Sequence, residues 1–440
     1  MDRSTITNII RENHIGVIRL LFTDILGRLK GININESELD RALNDGIAFD
    51  GSSVEGFVRI EESDLILQPD LSTFRPFPFQ SGGVGSAMII CDIMTSDGKP
   101  FHSDPRLVLK RALAKAAKLG YDHFYVGPEL EFFYFPNDRN PEPQDSVGYF
   151  DIIPLDNSTD ARKATLAILK DMGMKMEASH HEVARGQHEI DFRYGDALLM
   201  ADQIMVSKMI IKEVARRNGL YASFMPKPIQ GENGSGMHVH QSLFKGATNA
   251  FYSKTDPYNL SKVGRAYTAG LLAECENLTA ITNQWVNSYK RLVPGYEAPA
   301  YISWGRRNRS TLIRVPAFSP TKPNSCRVEY RAPDPGANPY LAFALMLQSG
   351  LAGIEKNLKL AAPVEEDIFE MTPARLDELG IRSLPGDLRH ATEIASKSSL
   401  VKEALGAELF EKFIANKLAE WDKYRIQVTD YELKTYLPVL

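Results

Sequence analysis

Apolar and polar positions along this chain follow two rhythms. Over the first hundred residues, short runs at 16–23, 65–68 and 87–93 read as strands. They are broken by Asp45-Gly46 and by a proline- and phenylalanine-rich stretch at 74–79. This predicts a small β-rich domain over residues 1–100. Turn residues at Asp97-Gly98 and Pro100 then mark a boundary in 96–104, before a larger domain over 101–440.

The second rhythm alternates helices and strands. Asp104 is placed to N-cap a helix with Pro105 at its first position, Leu109, Leu113 and Ala116 on one face and Gly120 as the stop. A strand follows at 125–135, a helix at 160–172, a hairpin at 175–194 and a long helix at 196–218 ended by Gly219. The pattern is α+β, with antiparallel strands and helices packed outside them.

Composition narrows the function classes. At 440 residues the chain exceeds what one hydrophobic core serves. A net charge of -5 gives no basic field for nucleic acid. The three cysteines, Cys91, Cys275 and Cys326, are scattered without CxxC spacing, which points to a reducing compartment and no structural zinc. Residues 1–13 are polar and do not read as a signal peptide, and the most apolar helix, 340–354, is too short to span a bilayer. A cytoplasmic protein with no membrane partner is expected.

Four segments carry candidate chemistry. In Glu129-Leu130-Glu131 two carboxylates share one face of a strand, about 6.6 Å apart along it. The neighbouring Phe132, Phe133, Tyr134 and Phe135 suit burial, where carboxylates need a metal or an arginine; a solvated strand face is the alternative. The run from His180 to Asp191 should fold back at Arg185-Gly186 and set Glu182 opposite Glu189. Arg185 stands where a zinc protease motif needs histidine, and the excess of glutamates favours Mg²⁺ or Mn²⁺; an exposed hairpin is the alternative.

The third segment, Asn233-Gly234-Ser235-Gly236-Met237-His238, is a glycine loop feeding a strand with His238, His240 and Ser242 on one side. Its glycines would let backbone amides approach an anion, although single histidines here also suit a structural role. The fourth holds Arg291, Arg306, Arg307, Arg309, Arg314, Arg327 and Arg331, with Glu329 on the same strand face as Arg327 and Arg331. Arginine forks facing a carboxylate-held metal suit phosphoryl transfer; a surface ion-pair network is the other reading.

Together with Phe49-Asp50-Gly51-Ser52-Ser53, Lys227-Pro228, the segment from Asn287 to Pro299, and Asn308-Arg309-Ser310, these motifs resemble glutamine synthetase, in its bacterial and archaeal type I form. The resemblance covers nearly the whole chain. It implies an N-terminal β-grasp domain and a catalytic domain with a curved antiparallel sheet flanked by helices. It also implies an ATP-dependent glutamate-ammonia ligase acting through γ-glutamyl phosphate. By family pattern Glu131, Glu182 and Glu189 would hold one divalent metal, and Glu129, His238 and Glu329 a second.

Asn233, Gly234, Arg291, Glu297, Arg309 and Arg331 match positions that grip L-glutamate; Glu177, His240, Ser242, Arg309, Arg314 and Arg327 match those near ATP. Asp50 and Glu297 would take the proton from ammonium, with Arg309 beside the transferred phosphate. The Asp50 segment would complete a neighbouring subunit's site, in a dodecamer of two stacked hexameric rings. Phe369 stands where some members carry an adenylylated tyrosine, and Arg59 matches a position used in glutamine feedback. Arg185, the stretch Gly305-Arg306-Arg307 and the segment 316–325 depart from the pattern, bordering the hairpin and the nucleotide end. Relatives that join glutamate to polyamines or ethanolamine, and silent nitrogen-sensing relatives, are the alternatives; retention of Asp50 and Glu297 favours ammonia, and retention of all six metal positions favours an active enzyme.

Overall fold

The computed structural model describes residues 2–52, 54, 64–81, 83–143, 145–306, 308–317 and 321–440. The expectations for Arg59 and Arg307 lie outside the described residues. The strands are β1 (Ile15–Thr23), β2 (Leu29–Asn35), β3 (Ile47–Asp50), β4 (Asp64–Pro69), β5 (Arg75–Ser81) and β6 (Val84–Thr95) in a first sheet. A second holds β7 (His123–Phe135), β8 (Met176–His181), β9 (Gln187–Phe192), β10 (Gly195–Asp196), β11 (Tyr221–Ser223), β12 (Met237–Lys245), β13 (Thr248–Asn249), β14 (Trp304–Arg306), β15 (Ile313–Val315) and β16 (Val328–Tyr330).

The first sheet runs β2-β1-β6-β4-β3, with β5 on β6 and the central β1/β6 pair parallel. Alternation along β1 and β6 divides their side chains between two cores. Ile18, Leu20, Phe22, Ile89, Cys91 and Ile93 pack among the first sheet's own residues, whereas Leu21, Met88 and Ile90 join the core of the larger unit. One expectation fails here: apart from Phe74, the stretch at 74–79 lies in an edge strand, β5, and is no break. Proline is tolerated there because an edge strand has a free hydrogen-bonding side.

The second sheet runs β14-β15-β16-β12-β7-β9-β8, antiparallel except for the β14/β15 pair. In β7, Glu129 and Glu131 face the site, Phe133 and Phe135 pack in a small apolar cluster with Ala184, and the even positions are main core: Leu130, Phe132 and Tyr134 are buried among residues of helices Ala197–Arg217 and Pro339–Glu355 and their neighbours. Helix Pro105–Lys118 begins as expected, Asp104 accepting from the Arg106 amide at 2.9 Å. Helix Pro339–Glu355 crosses Lys262–Thr282 so closely that a Cβ on Gly353 would sit 2.2 Å from the Ala266 carbonyl oxygen.

Arg106 ties the two units together. Its guanidinium reaches Asp70, just past the end of β4, at 2.8 Å, Asp92 in β6 at 2.6 Å, and Asp202 in the long helix at 3.0 Å. Cys91, Cys275 and Cys326 are buried free thiols. No described helix is long and apolar enough to cross a membrane.

Candidate active site

Register across the second sheet lines up the chemistry in rows. Glu129 stands between Asp191 on β9 and His238 on β12, while Glu131 is opposite Glu189 and Glu189 opposite His180. On the far side, Glu329 lies between His240 on β12 and Arg314 on β15. Period-two alternation therefore points carboxylates and imidazoles from five strands toward one space.

That space is a cavity of about 370 Å³, lined by Glu129, Glu131, Glu182, Glu189, Asp191, His180, His238, Asn233, Gly234, Arg291, Glu297, Arg309, Arg314 and Arg331 together with aromatic Tyr149, Phe150 and Tyr296. Ligand atoms of Glu129, His238 and Glu329 lie within 4.8 Å of one another, as do those of His180, Glu182 and Glu189, and of Glu129, Glu189 and Asp191. The first group is the expected one. In the second, His180 stands with Glu182 and Glu189 where Glu131 was expected.

Glu131 has other contacts: one oxygen accepts from the Gln187 amide and the Gly236 backbone N–H, both at 2.9 Å. The Gly236 amide thus serves a carboxylate of the protein. The loop's glycines meet a packing need. A Cβ on Gly236 would lie 2.7 Å from Arg291 Nη2 and 2.9 Å from His238 Nε2, and one on Gly234 would lie 2.4 Å from the Pro226 carbonyl.

The hairpin also differs from expectation. Its loop is 183–186, not the pair Arg185-Gly186, so Glu182 pairs with Gln187 through a 2.8 Å bond and Glu189 faces His180. Gln187 N–H closes the turn on the Ala184 carbonyl, and Gly186 supplies a φ of +69°. The shift is by two residues, so Glu182 and Glu189 keep the same face. Arg185 pairs with Glu232 at 2.8 Å, tying the hairpin to the glycine loop.

Electrostatics split the acids into two groups. Burial, and then Glu182, pushes the Glu131 carboxyl up to about 8, while burial and Glu131 raise Glu189 well above the ordinary range. Glu329 goes the other way. Burial opposes its charge, but Arg331, at 2.7 Å, and Arg314, in direct contact, hold it down to about 2. Glu129 is also low, because His240 and His238 outweigh its burial.

The tautomers follow. Arg327 Nε donates to His240 Nδ1 at 3.2 Å, so His240 donates from Nε2 to Glu129 at 2.7 Å. His238, held neutral by burial and Arg331, faces Glu129 through Nδ1 at 3.0 Å and Glu329 at 3.8 Å.

Not every expected residue reaches the cavity. Arg327 and His240 form a chain behind Glu129, and Ser242 is buried one step further along β12. Glu177 is exposed at the irregular start of β8, and Asp50 ends β3 in the first sheet; neither lines the cavity of its own chain. Asn233 donates to Glu297 at 3.3 Å, and Glu297 holds a left-handed φ of +55° at the rim. Phe369 lines a second cavity of about 470 Å³, shared with Glu297, Arg306 and Arg309. His180, Gln187 and Asp191 were missed from sequence, although strand parity with Glu189 points to Gln187 and Asp191. Tyr149 and Phe150 carry no periodic signal.

Residues 102–436 match the family model described as the glutamine synthetase catalytic domain, and residues 14–96 match its beta-Grasp domain. A glutamine synthetase of Clostridium saccharobutylicum is 51% identical over 99% of this chain and 98% of its own length. One from Thermotoga maritima is 49% identical over 99% of this chain and 100% of its own. Among solved structures, one titled as a GmaS/ADP complex has a TM-score of 0.88 at 30% identity, covering 98% of this chain and 99% of its own. The Plasmodium falciparum glutamine synthetase has a TM-score of 0.88 at 25% identity, with 99% of each chain covered.

Proposed function

The chain belongs to the glutamine synthetase family, and on that premise we propose how its cavity joins ammonia to L-glutamate in an ATP-driven ligation. The observation that carries this reading is the convergence of Glu129, His238 and Glu329 from three adjacent strands beneath Arg314 and Arg331.

The donor set fits divalent cations. Buried carboxylates whose ionisation is suppressed, as in Glu131 and Glu189, need added positive charge, and oxygen-rich ligands select Mg²⁺ or Mn²⁺. Glu131, Glu182 and Glu189 would hold one ion, with His180 close by, and Glu129, His238 and Glu329 the other. Bound there, the ions would neutralise the phosphate and carboxylate charge that meets during phosphoryl transfer.

The chain's own residues do the rest. Arg291 is anchored to the backbone carbonyls of Ala332, at 2.7 Å, and Arg331, at 3.1 Å. It is therefore fixed to receive the glutamate carboxylate beside Asn233 and Gly234. Arg309, Arg314 and Arg331 face the γ-phosphate of ATP and steady the charge that spreads over its oxygens. Arg327, His240 and Ser242 flank the nucleotide side; Glu177, exposed on this chain, would meet nucleotide only at the outer edge. The glutamate side-chain carboxylate attacks the γ-phosphorus of ATP as ADP leaves, giving γ-glutamyl phosphate, and ammonia then displaces phosphate from its acyl carbon to give glutamine. Glu297 at the rim, with Asp50, takes the ammonium proton, and the aromatic lining limits water around the acyl phosphate.

We read Asp50 as completing the cavity of an adjacent copy, within a dodecamer, because it does not line its own. Residues 1–100 and 101–440 form the two units, and the protein works in the cytoplasm on glutamate, ammonium and ATP. The test is subunit mixing. Asp50→Asn and Arg314→Gln proteins, each inactive, are dissociated together, reassembled and assayed for glutamine from ATP, glutamate and ammonium. Shared sites regain activity at about a quarter of interfaces. No recovery in verified mixed oligomers would overturn the shared-site reading.

A further inference from the structure

Another cavity, larger than the two described above, lies away from the catalytic residues. It holds about 880 Å³ between the first sheet and helix Ala197–Arg217, and is lined by Arg19, Arg28, Lys30, Lys208, Lys212 and Arg216. Its one carboxylate among the described residues, Glu213, is already taken by Arg216 and Arg217, both at 2.8 Å. Lys30 has only a distant partner, Asp24 at 3.9 Å. Arg19, Arg28, Lys208 and Lys212 are ion-paired to no described residue.

These charges are arranged and not merely abundant. Lys208, Lys212 and Arg216 repeat every four residues along one helix face, where like charges repel. Lys208 is drawn inward to the carbonyls of Pro335 and Ala337, and burial and Lys212 push its ammonium down to about 7. Across the cleft, Arg19 lays its guanidinium 4.2 Å from the Phe77 ring centroid and keeps a buried Nε without a hydrogen-bond partner. A solvated lysine stripe would leave none of these groups desolvated. A cleft with one sign of charge and apolar walls concentrates anions.

We propose that this groove binds a small phosphorylated anion carrying three or more negative charges. The guanidinium forks of Arg19, Arg28 and Arg216 match phosphate oxygens in pairs, and the lysines add point charge. The apolar floor, with Leu21, Met205 and Met209, leaves room for an uncharged body attached to the phosphates.

Inorganic tripolyphosphate is the probe, titrated calorimetrically into the assembled, metal-free protein. Three proteins are compared: wild type, the Arg28→Gln/Lys212→Gln double variant, and Arg314→Gln, which removes an arginine of the catalytic cavity. Saturable binding is expected in wild type and Arg314→Gln, weakened roughly 100-fold in the double variant as two charge-assisted contacts disappear. Without probe, the double variant should melt at or above the wild-type temperature, because it sheds repulsion. Equal binding by the double variant, no saturable binding by wild type, or loss confined to Arg314→Gln would overturn the proposal. Citrate binding as tightly as tripolyphosphate would overturn the assignment to phosphate.

Discussion

Replacing Glu329 by glutamine keeps the side chain's volume and removes one charge. In the folded protein that charge is fully buried and shared between Arg331, at 2.7 Å, and Arg314. Arg331 is itself only 6% exposed, so in the variant it loses its one contacting carboxylate while remaining out of water. Breaking a buried pair from one side costs about 3–5 kcal/mol. Glu129 and Glu131 still attract Arg331 from farther off, which moves the expectation to the lower end, about 3 kcal/mol.

The assay is denaturant unfolding of wild type, Glu329→Gln, Arg331→Gln and the double variant, all in chelator. The double variant should lose clearly less than the two singles added, since neither Glu329 nor Arg331 is then left without the other and Arg314, the more exposed partner, keeps access to water. In a parallel activity assay with Mg²⁺, Glu329→Gln should lose about a thousandfold or more in kcat, several kcal/mol of transition-state stabilisation. Simple additivity of the stability losses, or activity above a tenth of wild type, would refute the argument.

Three further expectations follow. Glu131 and Glu189 have raised folded pKa values, so their protonated forms favour the fold; metal-free protein should lose stability as pH rises from the ordinary carboxylate range through about 8. Mg²⁺ or Mn²⁺ should therefore raise the melting temperature more at pH 8.5 than at pH 6 and release protons, seen as buffer-dependent binding heats. Arg106→Met strands Asp202 and severs the tie to Asp70 and Asp92, costing about 3 kcal/mol in thermal or chemical unfolding, with Asp202→Asn restoring part of it. Gly353→Ala forces apart two helices whose backbones are in contact, and should cost about 3 kcal/mol or more by the same measurement.

Much of this was legible because strand parity is local. A single residue between Glu129 and Glu131, or between His238 and His240, fixes a common face whatever the rest of the chain does. The helix start at Asp104-Pro105 was equally readable, since capping uses neighbouring atoms alone. Register was not legible. Whether Glu189 meets Glu182 or His180 depends on how many residues the turn consumes, and Val183-Ala184-Arg185-Gly186 spends four where a tight turn spends two. The edge strand β5 was hidden because its prolines suit an edge and read from sequence as a break. Partnership across the sheet, such as Gly236 with Glu131 or Arg327 with His240, joins residues far apart in sequence and carries no local signature.

The hairpin's four-residue loop has a consequence for how this enzyme can change. A single deletion between Glu182 and Glu189 would invert the trailing strand, sending Glu189 into the compartment where His188 now meets Arg162 at 2.7 Å and presenting His188 to the cations. A double deletion would slide the ladder by one rung and leave every acid on its present side. Length variation at this tip is therefore tolerable only in even steps, an arithmetic restriction that no substitution elsewhere in the loop can relax.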